Sequence, residues 1–191
     1  MIPIHLDPAK TRIGLVGRGP LTVRRLGWFQ GLGVTPLLFS DCPGPDLAAA
    51  AGSELISRLP NSDDLLSLHV LWVADLEPAE AEALGAVARA AKVLLNTEDV
   101  LPLCDFHTPA IVRRGRLVLS AGTGGGSPAA ASFARERLAA AFPEAWDEMM
   151  EALAAERLKM KEAGATMAEM REAAFAKLIA AFGPPNLGGS F

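Results

Sequence analysis

Short, almost uncharged apolar runs alternate with helical stretches over the first 120 residues, and a chain built this way has few folds open to it. Arg12-Ile13-Gly14-Leu15-Val16 reads as a buried strand, followed by Gly17-Arg18-Gly19 and a helix over about Leu21 to Gln30. Gly31 and Gly33 end that helix, and Thr35-Pro36-Leu37-Leu38-Phe39 is a second strand closing at Ser40-Asp41. Pro43-Gly44-Pro45 precedes a short helix over Asp46 to Ala51, and Asn61-Ser62-Asp63-Asp64 reads as a polar stretch. His69-Val70-Leu71-Trp72-Val73 is the clearest interior strand. Pro78 to Ala91 is helical, with acids first and Arg89 and Lys92 last, as the helix dipole favours. Val93-Leu94-Leu95 ends at Asn96, and two further strands flank the turn Arg114-Gly115-Arg116. Near-continuous apolar strands separated by helices predict an α/β fold: a Rossmann-like parallel sheet with helices on both faces.

From Pro128 onward the chain changes character. Ala, Glu, Leu, Met, Lys and Arg dominate, and Pro143 and Gly164 divide the segment into three expected helices. Thr166-x-x-Glu169 is a capping box that opens the last of them. There is no internal repeat.

Charge excludes some functions. The 22 acids and 18 bases give a net charge of −4, spread evenly along the chain, so neither a nucleic-acid binder nor a polybasic membrane-surface protein is expected. With no Tyr and three Trp, the chain lacks the stacking platforms of single-strand binders. Cys42 and Cys104 stand apart from any metal-ligand spacing, so reduced thiols in a cytoplasmic protein are expected, with no metal site. The N-terminus shows no signal-peptide pattern. The longest uncharged run, Leu117 to Ala134, is broken by Gly122-Thr123-Gly124-Gly125-Gly126-Ser127-Pro128 and reads as strand, loop and helix start rather than as a membrane span.

Two loops carry chemistry. Gly17-Arg18-Gly19-Pro20-Leu21-Thr22 is a GxGxxG variant between a strand and a helix, where glycines permit a tight turn and close approach of a pyrophosphate to the helix N-terminus. Asp41, 24 residues after Gly17 at the end of the second strand, stands where an acid bonds the adenine ribose; a solvated loop acid is the competing reading. Arg18 leaves a 2′-phosphate, and hence NADP, open. The second loop, Gly122 to Pro128, enters a helix with Ser127 as N-cap and follows Arg113, Arg114 and Arg116, which together suit a multiply anionic ligand. An ordinary charged turn is the alternative for these arginines. Asn96-Thr97-Glu98-Asp99 sits at a strand's carboxyl end, the edge where open α/β sheets bind ligands.

Asn96-x-x-Asp99, Cys104-Asp105-Phe106, Pro109-Ala110-Ile111-Val112, Arg114, Gly124-Gly125-x-Ser127-Pro128 and Arg135-Glu136-x-Leu138 together resemble the siroheme synthase N-terminal domain-like family of precorrin-2 dehydrogenases and sirohydrochlorin ferrochelatases. The resemblance runs from Pro3-Ile4 through Val16-Gly17-x-Gly19 to Ala165-Thr166-Met167-x-Glu169-x-Arg171. It implies NAD-dependent oxidation of precorrin-2 to sirohydrochlorin, with ferrous iron as the substrate of a following insertion in many members. It also implies a homodimer in which strands near the end of a 1–126 Rossmann-like NAD-binding domain and a 127–182 helical region take part; the Gly- and Pro-rich composition of residues 183–191 itself predicts a disordered tail. The family's essential carboxylate falls on Asp99, suited to take protons during oxidation or metal entry. Cofactor contacts fall on Gly17, Arg18, Gly19, Pro20, Leu21, Asp41, Cys42, Ala74 and Asp75. Contacts to the octacarboxylate tetrapyrrole fall on Asn96, Asp105, His107, Arg113, Arg114, Arg116, Thr123, Gly124, Gly125 and Ser127.

The departures from the family gather at the dinucleotide loop. Arg18 replaces a glycine and would lie over the pyrophosphate, Pro20 and Thr22 replace an acid and an alanine, and Ala74-Asp75-Leu76 replaces Ala-Thr-Asp. Thr22 would hold strand and helix slightly further apart. His107 replaces an apolar residue and is either a metal ligand or proton shuttle, or a histidine packed at the pocket wall. Two other readings stay open: a ferrochelatase without the dehydrogenase step, and a non-catalytic tetrapyrrole- or nucleotide-binding protein.

Overall fold

The computed structural model describes residues 1–185, so residues 186–191 of the expected tail lie outside the described residues. The chain divides into two compact units, residues 1–108 and 109–191. The first unit carries β1 (Ile13–Val16), α1 (Pro20–Gly31), β2 (Leu37–Phe39), α2 (Pro45–Ala51), β3 (Leu55–Ile56), α3 (Ser62–Ser67), β4 (Val70–Val73), α4 (Pro78–Ala90) and β5 (Leu94–Thr97). All five strands are parallel, in the order β3-β2-β1-β4-β5, so the order reverses between β1 and β4. This is the Rossmann half-sheet, and its ligand crevice opens at that reversal, beyond the strand carboxyl ends.

Why these residues form a sheet buried on both sides is visible in their alternation. Val16, Phe39, Leu71, Val73 and Leu95 join one core cluster with Leu65 of α3 and Ala81 and Ala88 of α4. Their neighbours Leu15, Leu38, Val70 and Trp72 join the opposite cluster with Leu26 and Phe29 of α1 and Leu47 of α2. The two-residue period of a strand divides each apolar run between the faces, which is why the runs carry no polar positions. Trp72 anchors the second face, edge-on to Phe29 at 5.0 Å and to Phe106 at 4.7 Å, with its indole N–H donating to Thr108.

Two elements have no counterpart in the sequence reading. β3 is only two residues long, and α3 lies in the stretch read as polar. Asn61 N-caps α3 in a reciprocal capping box with Asp64, so the polar residues start a helix instead of filling a loop.

The second unit begins with an antiparallel hairpin, β6 (Ala110–Arg114) and β7 (Leu117–Ala121), followed by α5 (Pro128–Ala141), α6 (Trp146–Glu162) and α7 (Met167–Phe182). The hairpin thus belongs with the helices, whereas the expected boundary lay at 126. Ser127 caps α5 through the Ala130 N–H with Pro128 in the first turn, and Thr166 and Glu169 form the capping box of α7. Trp146 stacks on Phe182 at 4.5 Å.

The junction of β1 with α1 depends on one glycine. A Cβ on Gly17 would lie 2.1 Å from both the Ala74 carbonyl oxygen and Thr22 Oγ1, groups that cannot move without separating β1 from β4 or α1. Gly17→Ala is expected to cost about 3 kcal/mol by overpacking. Urea denaturation measures this, and a loss under about 1 kcal/mol would show that the junction yields.

Candidate functional site

The β1–α1 loop, the residues after β2 and those after β4 converge at the carboxyl edge of the sheet, beside the strand-order reversal. Thr22 is fully buried at the junction of α1 with the sheet. Its backbone N–H and Oγ1 both donate to Asp75 Oδ2, at 2.8 and 2.9 Å, and draw the helix start onto the end of β4. Asp75 adopts φ 52, a left-handed conformation uncommon for a non-glycine residue. Gly19 leaves room for that carboxylate, since a Cβ there would meet Asp75 Cγ at 3.0 Å.

Arg18 does not reach over the helix start, where the sequence reading put it. Its guanidinium lies between two carboxylates: Nε and Nη2 donate to Asp41 at 2.7 and 2.8 Å, and Nη1 and Nη2 donate to Glu80 at 2.6 and 2.9 Å. Four donor contacts tie the first turn of α4 and the end of β2 to the β1–α1 loop. Arg18 holds the carboxyls of both Asp41 and Glu80 below the usual carboxylate range. Cys42, next in the chain, is exposed.

These parts fit a dinucleotide, with one condition. Loop, helix start and the acid after β2 stand in the required order, and the buried Ser40 hydroxyl, without a partner, lies immediately before Asp41. The helix start, however, carries the Asp75 carboxylate, which has to leave if a pyrophosphate is to take that position.

β5 carries the second part of the site. Glu98, its side chain 10% exposed, accepts from both Arg24 and Arg25 of α1, while its N–H donates to the Val73 carbonyl. Asp99 follows at φ 61, exposed, and its carboxylate has no hydrogen-bond partner among the described residues. Glu98 is thus locked and Asp99 turned out at the same sheet edge as the dinucleotide loop. Between the ends of β4 and β5 a cavity of about 90 Å³ is lined by Asp75, Glu82, Glu98 and Thr97, whose buried hydroxyl has no partner.

Asn96 and Asp105 belong to the frame. Asn96 donates to the Phe106 carbonyl at 2.8 Å, and Asp105 accepts from the Leu95 N–H and from Arg89. The Cys104 sulfur sits beneath the same turn, against the Thr97 N–H and carbonyl, and burial pushes its thiol pKa up. His107 is half-buried.

In the second unit the hairpin separates two groups the sequence reading put together. Arg113, Arg114 and Arg116 lie at its turn end, whereas the Gly122–Ser127 loop leaves from the end where Ala110 pairs with Ala121. About 13 Å of strand lies between these ends at about 3.3 Å per residue. Arg114 donates to the Phe142 carbonyl that closes α5, Arg113 Nε to the Gly115 carbonyl, and Arg116 to Glu151 on the surface. In the loop, Thr123 Oγ1 donates to the Ser127 carbonyl and accepts from the Ser127 N–H, while Gly124 and Gly125 take φ 65 and 80.

Sequence reasoning missed Glu80, Arg24, Arg25 and Ser40, and gave Thr97 and Glu98 no role beyond their place at the strand end. An acid in the first turn of α4 and the paired arginines on α1 were visible, but their partners lie more than 60 residues away. Among the described residues no group of three or more His, Cys, Asp or Glu could hold a metal ion, and no helix is long and apolar enough to cross a membrane.

Residues 4–110 match a family described as "Putative NAD(P)-binding". Siroheme synthase of Pseudomonas putida strain F1 is 31% identical over 153 residues, which are 78% of this chain and 33% of that protein. Siroheme synthase 1 of Pectobacterium atrosepticum is 30% identical over 165 residues, 84% of this chain and 34% of that one. The chain therefore spans about a third of the length of these relatives. A solved structure titled "SirC, precorrin-2 dehydrogenase" matches with TM-score 0.73 at 19% identity, over 98% of this chain and 93% of that chain, a likeness of fold.

With both carboxyl pKa values lowered, the Arg18 cluster stabilises the fold fully above the ordinary carboxylate range, and this is lost as pH falls through the lowered values. Wild type should therefore exceed Arg18→Met in stability by a constant margin from about pH 7 to 5 that shrinks below about pH 4. Urea midpoints across that range measure it; a margin independent of pH would assign the effect to packing of the Arg18 stem.

Proposed function

The chain belongs to the siroheme synthase N-terminal domain-like family of NAD(P)-binding proteins, and on that premise we propose that it oxidises precorrin-2 to sirohydrochlorin with NAD as the electron acceptor. The observation that carries this reading is the shared sheet edge: a glycine loop with its ribose acid after β1 and β2, and an unpaired carboxylate, Asp99, after β5. The oxidation removes a hydride and a proton. The nicotinamide, when bound, supplies the hydride acceptor. Asp99 takes the proton and passes it to solvent, and in a following insertion of ferrous iron it takes the two displaced pyrrole N–H protons one after the other, releasing each to solvent. The Glu98 clamp on Arg24 and Arg25 keeps the Asp99 peptide in its turned-out conformation.

NAD, rather than NADP, suits this crevice. Arg18 has four donor contacts committed to Asp41 and Glu80, and Asp75 adds a third acid, so a 2′-phosphate finds no available cation in the loop. Within the second unit, the Thr123–Ser127 loop and Arg116, whose exposed pairing with Glu151 is easily exchanged, are the groups suited to carboxylates.

The exposed apolar faces of the second unit favour a homodimer. Among its described residues only Val112 and Met170 of the apolar ones are buried, while Phe133 is 70%, Leu158 58% and Phe175 47% exposed. A second copy covering these faces supplies the burial that a single chain lacks. Sedimentation equilibrium is expected to give twice the 20.0 kDa chain mass; a monomer at micromolar concentration would remove this part of the reading.

A second reading, a ferrochelatase without the redox step, is favoured by one observation: Asp75 stands on the helix start that a cofactor needs. The two readings part in one assay. Purified protein with precorrin-2 and NAD+ is expected to yield NADH and sirohydrochlorin in equal amounts; iron insertion into supplied sirohydrochlorin with no NADH formed would replace the first reading by the second. Asp99→Asn, which keeps the left-handed turn, is expected to lower turnover by about 100-fold. An unchanged rate would remove Asp99 from its role.

A further inference from the structure

The β1–α1 loop bears the marks of an anion site, yet each of them is already used within the chain. Two N–H or O–H donors at the start of α1 converge on one acceptor, Asp75 Oδ2, at 2.8 and 2.9 Å. The glycine whose missing side chain lets a phosphate approach, Gly19, is instead closely approached by the Asp75 carboxyl carbon, 3.0 Å from where a Cβ would stand. The residue that places this carboxylate sits at φ 52, a conformation that costs an ordinary side chain energy and that the surrounding contacts must maintain. The neighbouring cation is withdrawn as well, since the Arg18 guanidinium lies between Asp41 and Glu80. The crevice thus holds three carboxylates against one guanidinium, an environment that opposes a pyrophosphate until one acid leaves.

We propose that Asp75 sets the affinity of this chain for its dinucleotide: its carboxylate occupies the position of the cofactor's pyrophosphate on the α1 N-terminus and must swing away for the cofactor to bind. The assignment rests on the dehydrogenase reading above for the identity of the ligand, but the competition itself concerns any pyrophosphate. It reverses the role that the family resemblance gives to this position. Asp75 acts as an internal rival of the cofactor rather than as one of its ligands. The cost of displacing it lowers the apparent affinity by the fraction of molecules in which the helix start is open. Glycine at this position accepts φ 52 without strain and leaves the helix start open, whereas asparagine tolerates the same conformation and keeps a neutral acceptor for the Thr22 N–H.

Calorimetric titration of wild type, Asp75→Gly and Asp75→Asn, with inorganic pyrophosphate and separately with NAD+, tests the proposal. Thermal melting confirms that each variant is folded, and Asp75→Asn decides alone if the glycine variant is not. Asp75→Gly is expected to bind both ligands at least about tenfold more tightly than wild type, with a smaller gain for Asp75→Asn. Tighter pyrophosphate binding in the variants with no NAD+ binding by any form would uphold the competition and remove the dehydrogenase reading instead. Pyrophosphate bound no more tightly than by wild type, or NAD+ bound more weakly by the folded variants, would overturn the proposal and return Asp75 to the cofactor's ligands.

Discussion

Everything at the functional edge depends on how closely the start of α1 approaches the end of β4. Gly17 permits the approach because any side chain there would collide with the Ala74 carbonyl, and Thr22 and Asp75 hold it by two hydrogen bonds. A helix start needs acceptors for its free N–H groups, and here a carboxylate supplies one, with the helix dipole favouring its charge. That single contact closes the turn, fixes the backbone of Asp75 in an unusual conformation and gives the crevice its negative character. The Arg18 cluster then draws the end of β2 and the start of α4 against the same turn. Sheet, crevice and charge are consequences of one close approach.

The charges at this edge are arranged in two ways, and the contrast separates structure from chemistry. Glu98 is nearly buried and faces two guanidiniums, one of them Arg25 with its side chain 12% exposed; such a clamp is costly to form, and removing Glu98 leaves the Arg25 charge buried and uncompensated. Asp99, next in the chain, is exposed and free of partners among the described residues. A carboxylate that is to receive a proton needs freedom from competing donors, while its backbone must be held. Adjacent residues divide these tasks: Glu98 holds, and Asp99 is available.

Much of this was legible in the sequence because it depends on local period and turn chemistry. The apolar runs at Leu15-Val16, Leu38-Phe39 and Val70 to Val73 could only be strands buried on both faces, and Ser127, Thr166 and Glu169 announced their helix starts. Asn61 to Asp64 was read only as polar because a capping box and a loop share the same composition, and only the apolar residues behind it decide between them. The partners of Arg18, Asp75 and the hairpin arginines were not legible, for another reason. A charged side chain goes to whichever partner the fold brings nearest, and Glu80, Thr22 and Phe142 are far from them in sequence. The three arginines precede the glycine loop in the chain, yet an antiparallel hairpin puts its turn and its open end apart.

A crevice whose ligand-binding groups satisfy one another has a thermodynamic consequence for the whole first unit. The contacts Thr22–Asp75 and Arg18–Asp41 stabilise the unliganded fold, and under the proposed function the same groups are those a dinucleotide needs. Stability and affinity therefore draw on one set of interactions and oppose each other: a stronger internal pairing gives a firmer fold and a weaker binder. A ligand that binds only after the pairing opens still stabilises the protein by mass action, but less than its contacts alone would give, because it must first replace what it breaks. Strand-to-helix turns of this kind ordinarily escape the conflict with small, uncharged residues around the loop. This chain has an arginine between its two loop glycines and an aspartate at the facing strand end, and with those two substitutions the conflict becomes part of the site.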